Sequence, residues 1–193
     1  MNVSDVVRNG TAIGLKNALS LIGATILWLL TCWIPYLNVG TTIALVTMPV
    51  ALSKGEVISP MEIFNAKYRE SMGEFFLLIS FQSLGIMIGY LFMGIPGIVM
   101  SLSWLLAPML LVDKGMNPMQ ALNESNKRTN GHKWTIFFSL LVANLLYMVV
   151  YFLGMLLMSA APILGAIVVV LLSLAVIPVF YGIYAEIYKH LGN

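Results

Sequence analysis

The chain has 193 residues, of which 60% are apolar and only 9% are charged, and its formal net charge is +2. Its mean hydropathy is strongly positive, which soluble globular chains of ordinary composition do not show. The composition excludes an ordinary soluble domain and predicts an integral membrane protein. So small a net charge gives no reason to expect a nucleic-acid partner.

Three long stretches carry no charged residue, namely 17–53, 75–112 and 134–185. A membrane-spanning helix needs about 20 residues to cross roughly 30 Å of hydrocarbon, so each stretch is too long for a single crossing. Pro and Gly residues mark the expected reversals of the chain, near Pro35, Pro96 and Pro162. The sequence therefore predicts an all-α integral membrane protein with six transmembrane helices arranged as three hairpins.

All ten Lys and Arg residues lie outside these stretches, and hairpins with uncharged tips return them all to one side of the membrane. Because positive residues accumulate on the cytoplasmic side, both termini and the long loops are predicted to be cytoplasmic. The first apolar stretch is not expected to be a cleaved signal peptide, since it is too long and no small-residue cleavage pattern follows it.

Two polar segments resemble each other, PMEIFNAKYRESMG at 60–73 and PMQALNESNKRTNG at 118–131. They align without a gap, and the flanking LSKG and VDKG stretches also match. A parallel repeat is the simplest account, with a pseudo-threefold axis along the membrane normal. The whole chain is then a single membrane domain, 1–193, with repeat units of about 1–58, 59–116 and 117–193.

Each polar segment is predicted to be an amphipathic helix on the cytoplasmic surface. The first has a helix-capping pattern at 59–62 and is expected to end at Gly73; the second repeats the pattern at 117–120 and is expected to end at Gly131. An apolar stripe suited to the headgroup layer runs along the first helix, through Met61, Phe64, Tyr68 and Met72.

Polar side chains on these helices form candidate interfacial binding sites. They are Asn65 with Arg69, and Asn123 with Lys127 and Arg128. A solvated face that pairs with lipid phosphates or with neighbouring helices is favoured over a specific binding site.

Proline recurs near the inner end of the second helix of each hairpin, at Pro49, Pro108 and Pro178. Each removes a helix hydrogen bond, and neighbouring Thr or Ser hydroxyls are expected to satisfy the freed carbonyls. Packing kinks are the favoured interpretation, and a cavity shared by the three kinked helices is the alternative. Gln82 and Asn144, the strongest polar residues at membrane depth, are expected to face the bundle and bond between helices.

No residue pattern for catalysis or metal binding is found. No ionisable residue lies in the middle of a predicted span, which argues against ion-coupled transport and charged substrates. His132 and His190 are single and lack a zinc-binding pattern, and no P-loop is present. The lone Cys32 excludes an intrachain disulfide. We therefore predict no enzymatic activity, no cofactor and no metal.

The segment 108–134 resembles the loop signature of a bacterial group of six-helix membrane proteins. The matching residues are Asp113, Gly115, Ala121, Leu122, Ser125, Gly131 and Trp134. This group includes the membrane domain fused to some glycerophosphodiester phosphodiesterases. The resemblance implies a lipid-adjacent module of the bacterial cytoplasmic (inner) membrane. It transfers no catalytic residue, because nothing in this sequence corresponds to the catalytic barrel of the fused members.

Two functions are compatible with these features. The first is a membrane module that binds or passes a lipid, an amphiphile or another mostly uncharged solute through a cavity among the kinked helices. The alternative is an accessory or scaffolding protein whose cytoplasmic helices dock a protein partner or a second copy of the chain. Membrane lipids are expected partners in both.

Overall fold

The computed structural model describes residues 1–192. Within them the chain forms ten α-helices and one 3₁₀ helix, and no β-strand. In chain order the helices are α1 (Val3–Lys16), α2 (Ala18–Thr31), α3 (Leu37–Ser53), the 3₁₀ helix (Pro60–Phe64), α4 (Lys67–Glu70), α5 (Met72–Leu91), α6 (Ile95–Ser103), α7 (Ala107–Lys114), α8 (Pro118–Thr129), α9 (Lys133–Ala160) and α10 (Pro162–Leu191).

Each charge-free stretch folds into a pair of contacting helical arms. The pairs are α2 with α3, α5 with α6 and α7, and α9 with α10. The chain reverses at 32–36, at 92–94 and at Ala161, close to the Pro and Gly positions that marked the reversals. The predicted all-helical class is therefore confirmed.

Four segments are long and apolar enough to cross a membrane, namely Met72–Leu91, Ile95–Lys114, Lys133–Ala160 and Pro162–Leu191. Helices α1 and α2 pass the same test only when taken together, and they are bent by 72°. Exposed Leu, Ile, Val, Phe and Met side chains cover the outer faces of α5, α9 and α10. The structure thus supports a helical membrane protein, while the six spans and the threefold repeat stay predictions.

We call the end of each helix that lies away from its hairpin tip the inner end. The inner half of α10 is the centre of the bundle. Ile183, Ile187 and Tyr188 are fully buried there, and α10 contacts α1, α2, α3 and α9. Farther out, between residues 144 and 177, Gly154 and Gly165 are the buried residues of this hairpin. The outer part of the third hairpin therefore extends beyond the rest of the bundle.

A close crossing of α1 over α10 positions the amino-terminal helix. Gly10 and Gly14 of α1 face Pro178 and Gly182 of α10. A Cβ added to Gly14 would lie 1.9 Å from the Pro178 carbonyl oxygen, and one added to Gly182 would lie 1.9 Å from the Gly10 oxygen. Glycine on both helices lets the backbones touch, which is the small-residue packing used between membrane helices.

The first polar segment does not form the continuous amphipathic helix that was predicted. The Ser59 hydroxyl accepts a hydrogen bond from the Met61 N–H at 3.3 Å, and Pro60 begins the helix as expected. The helix is, however, a 3₁₀ helix that stops at Phe64, and Asn65 has extended backbone angles. The break divides the segment into two short pieces.

The side chain of Glu62 explains why the segment breaks. It forms no capping box; its carboxylate lies 2.5 Å from the Lys67 ammonium and accepts a hydrogen bond from the Tyr68 hydroxyl at 3.3 Å. The hydrogen bond to Glu62 raises the pKa of Lys67. The expected apolar stripe is also divided, because Tyr68 is buried whereas Met61 is exposed. Gly73 lies inside α5 and ends no helix, contrary to the prediction.

The second polar segment forms the predicted helix, α8. Asn117 and Gln120 form the capping box, with the Asn117 side chain accepting from the Gln120 N–H at 2.9 Å. Gly131, with a φ of 81°, follows the end of the helix as expected. The two aligned segments therefore adopt different structures.

Replacing Gly14 by Ala is expected to destabilise the protein, because its Cβ would meet the Pro178 carbonyl of α10. Overpacking of this kind costs roughly 1–3 kcal/mol. The midpoint temperature of unfolding in detergent measures the effect. Gly73→Ala is the matched control, since no atom lies within 4 Å of its added Cβ. Equal midpoints for the two variants would contradict the close crossing.

Candidate functional site

A cavity of about 470 Å³ lies where the inner parts of the three hairpins meet. Its volume is within the range of small-molecule sites, roughly 300–1,000 Å³. It is lined by Val46 and Pro49 from α3, Gln82 from α5, Ser101, Leu105 and Met109 from the α6–α7 arm of the second hairpin, and Phe180, Tyr181 and Tyr184 from α10. None of these lining residues is charged.

Gln82 is the polar group that distinguishes this cavity. Its Nε2 donates a hydrogen bond to the Trp104 carbonyl oxygen at 3.4 Å. Its Oε1 is buried and accepts no hydrogen bond from any group in residues 1–192. A buried acceptor without a partner costs about 1–3 kcal/mol. A ligand that donates a hydrogen bond to this oxygen would recover that free energy, and this requires the amide to turn toward the cavity because the oxygen has less than 1 Å² of accessible surface.

Contrary to the prediction, Pro108 does not kink a continuous helix. The chain breaks between α6 and α7, and Pro108 takes an early position in the new helix. The neighbouring Ser103 hydroxyl, expected to bond to a carbonyl that Pro108 leaves free, donates instead to the Val99 carbonyl of its own helix at 2.7 Å. Ser125 of α8 satisfies the break instead: its hydroxyl accepts from the Leu106 N–H at 3.2 Å and donates to the Ser103 carbonyl at 2.7 Å.

One face of α8 is therefore packed inside the bundle, although the sequence placed this helix on the surface. Ala121, Ser125 and Thr129 recur every four residues, and all three are fully buried. The Thr129 hydroxyl also donates to the Ser103 carbonyl, at 3.3 Å. The polar helix thus stabilises the broken arm of the second hairpin.

The other candidate cavity residues have different positions. Pro49 is buried in α3 and lines the cavity. Pro178 is buried against Gly14 of α1, outside the cavity lining. Asn144 was expected to face the bundle, but it is exposed. Its Nδ2 donates to the Leu140 carbonyl of its own helix at 2.9 Å. The helix itself satisfies this amide.

One carboxylate joins the inner ends of all three hairpins. Asp113, at the end of α7, lies 2.5 Å from the Lys54 ammonium after α3 and accepts a hydrogen bond from the Tyr188 hydroxyl of α10 at 2.7 Å. Only 9% of the Asp113 side chain is exposed, so its charge depends on these partners. Met109 and Tyr184, one helical turn away, line the cavity. We call the contact between Asp113, Lys54 and Tyr188 the Asp113 junction.

The first pair of candidate interfacial residues is not brought together on one helix face. The Asn65 side chain accepts from the Lys67 N–H at 3.2 Å and donates to Glu62 at 3.4 Å, which fixes the break in the segment. Arg69 packs its aliphatic stem against Gly40 of α3.

The second set lies on α8 and has two environments. Asn123 and Lys127 are exposed. Arg128 pairs with Glu124 at 2.7 Å and donates to the Leu191 carbonyl at 3.1 Å, so it connects α8 to the end of α10. The hydrogen bond from Arg128 lowers the pKa of Glu124.

Sequence reasoning missed the roles of Asp113 and Ser125. Both belong to the segment that resembles the membrane-protein family, but the resemblance gives no structural role for either. The local signal for Ser125 is its position between Ala121 and Thr129, which makes a face of small residues on a polar helix. Nothing in the sequence pairs Asp113 with Tyr188, which is 75 residues away.

No protein-family model, curated protein or solved structure matches this chain. The resemblance of segment 108–134 to the six-helix family therefore stays a prediction. Within residues 1–192, no group of three or more His, Cys, Asp or Glu side chains is placed to hold a metal ion.

Replacing Ser125 by Ala is expected to destabilise the protein by about 1–3 kcal/mol, because it leaves the buried Leu106 N–H at the α6–α7 break without a partner. The change is measured as a lower midpoint temperature of unfolding in detergent. Ser159→Ala is the control, since that exposed hydroxyl bonds only to the Leu156 carbonyl of its own helix. If the two variants lose the same stability, Ser125 does not hold the break.

Proposed function

We propose that this protein is a multi-pass protein of the bacterial cytoplasmic membrane that binds a lipid or another amphiphile in the cavity between its three hairpins, and that it has no enzymatic activity of its own. The observation that carries the proposal is the largely apolar cavity, which is lined by Gln82, a residue whose buried Oε1 has no hydrogen-bond partner within residues 1–192. The resemblance to a lipid-adjacent membrane domain agrees with it.

The lining of the cavity favours an amphiphile over an ion or a charged solute. Val46, Leu105, Met109 and Phe180 give it apolar walls, which suit an alkyl or acyl chain. The free acceptor of Gln82 requires a hydroxyl or N–H donor in the ligand. A neutral lipid with a hydroxyl group meets both requirements.

The placement of the termini supports the proposed topology. Asn9 of α1 donates a hydrogen bond to Glu186 near the end of α10 at 3.2 Å, so the first and last helices meet at one end of the bundle. The positively charged residues lie outside the apolar stretches, which favours a cytoplasmic position for this end.

Scaffolding is the alternative function. The exposed face of α8 that carries Asn123 and Lys127 is available to a protein partner or to a second copy of the chain. The cavity is the more specific feature, because docking through α8 would not explain the buried Gln82 oxygen that has no partner.

Binding of radiolabelled diacylglycerol to the purified protein tests the proposal, with the O-methyl ether of the same lipid as the ligand without a donor. We expect the hydroxyl form to bind about 5–10 times more tightly, since one hydrogen bond contributes roughly 1 kcal/mol. Gln82→Leu is expected to abolish this preference.

Asn144→Leu is the matched control, because it removes a membrane-depth amide that lies outside the cavity lining. It should bind both lipids like the unchanged protein. Met109→Trp, which fills the cavity, should weaken the binding of both. If all four proteins bind the two lipids equally, the proposed site is wrong.

A further inference from the structure

The polar segment 60–70 lies along the side of the first hairpin. The Pro60 ring is 3.1 Å from the position of a Cβ built on Gly23, in the middle of α2. At the other end of the segment, the Cγ atom of Arg69 is 2.7 Å from the position of a Cβ built on Gly40. The segment therefore extends from the middle of α2 to the beginning of α3.

The contact at Gly40 limits how deeply this hairpin enters a membrane. Gly40 is the fourth residue of α3, which begins at Leu37 beside the tip of the hairpin. At 1.5 Å per residue, only about 5 Å of α3 lies beyond the Arg69 contact. The hydrocarbon core is roughly 30 Å thick. A hairpin with its tip on the far side would thus carry Arg69 across most of that thickness.

Other charged residues accompany Arg69 along this segment. Lys67 has 56% of its side chain exposed, and Glu62 has 32%; Glu70 is exposed as well. Lys67 and Glu70 line a cleft with Thr47 and Lys54, nearer the base of the hairpin than the Arg69 contact. Charged side chains are costly in the hydrocarbon of a bilayer, so a full crossing would place Arg69 unfavourably. The ion pair between Lys67 and Glu62 does not remove this cost, because it bonds neither Glu70 nor Arg69. The segment belongs to the aqueous or headgroup layer.

One face of α2 is suited to lipid, and Gly23, which contacts Pro60, lies at its edge. A stripe of exposed apolar side chains follows one face of α2 and its flanks, at Leu15, Leu19, Ile26, Leu30 and Trp33. Arg8 and Lys16 lie in α1, which meets α2 at a bend of 72°. An apolar face beside basic residues is typical of helices that lie in the plane of a membrane surface.

We propose that the first hairpin, residues 18–53, does not cross the membrane but inserts into one leaflet, on the side where Lys54 lies. The α2 stripe faces the acyl chains, and the polar segment 60–70 lies beside it in the headgroup layer. The partner of this surface is a single lipid leaflet. The proposal replaces the expectation of six spans with four, and it does not depend on a ligand in the cavity.

Cysteine labelling with a membrane-impermeant maleimide, in sealed vesicles of both orientations, tests this topology. The native Cys32 is first replaced by Ser, and single cysteines are then introduced by Tyr36→Cys at the tip and Glu56→Cys at the base. Asn38→Cys is a second tip position in case the first variant does not fold. Ala161→Cys reports the tip of the third hairpin.

We expect the tip cysteine to react from the same side as Glu56→Cys, or only after detergent is added if the tip rests among acyl chains. Ala161→Cys should react from the opposite side. Labelling of either tip cysteine from the side opposite to Glu56→Cys would overturn the proposal, whatever the cavity binds.

Discussion

The carboxylate of Asp113 is the interaction on which the arrangement of the hairpins depends. Helices surrounded by lipid have no hydrophobic driving force toward one another, so polar contacts and close packing decide how they associate. Asp113 binds Lys54 from the first hairpin and Tyr188 from the third. The three inner ends are therefore fixed relative to one another, and the cavity forms directly beside this point.

The remaining polar contacts of the bundle stabilise the same inner layer. Ser125 closes the break between α6 and α7, Arg128 connects α8 to the end of α10, and Asn9 connects α1 to Glu186. Each contact joins segments that are far apart in the chain. The outer parts of the hairpins have few such contacts, and their apolar surfaces are left to the lipid. Structure at the inner end thus determines the cavity, and Gln82 contributes a buried amide to its lining.

Local patterns in the sequence predicted the features that depend on neighbouring residues. The helical class, the three reversals of the chain and the capping box at Asn117 are of this kind, because hydropathy, Pro and Gly positions and capping residues act within a few residues. The break at Asn65 was not predictable in this way. It depends on the Glu62 carboxylate bonding to the Lys67 and Tyr68 side chains and not to the backbone N–H of Ser59.

The candidate site was predicted in part for the same reason. Gln82 and Asn144 look equivalent in the sequence, yet one lines the cavity and the other bonds to its own helix on an exposed face. Which side of a helix faces the bundle is set by packing with distant segments. Pro49 lines the cavity while Pro178 packs against α1, and only the three-dimensional arrangement separates these two prolines.

A double-mutant cycle on Lys54 and Asp113 tests the central claim most directly. The free energy of unfolding is measured in mixed micelles for Lys54→Met, Asp113→Leu and the double variant. If the ion pair joins the hairpins, the two substitutions are coupled by about 0.5–3 kcal/mol, and the double variant loses less stability than the sum of the single variants. Effects that add to within roughly 0.5 kcal/mol would show that the hairpins are held together without this junction.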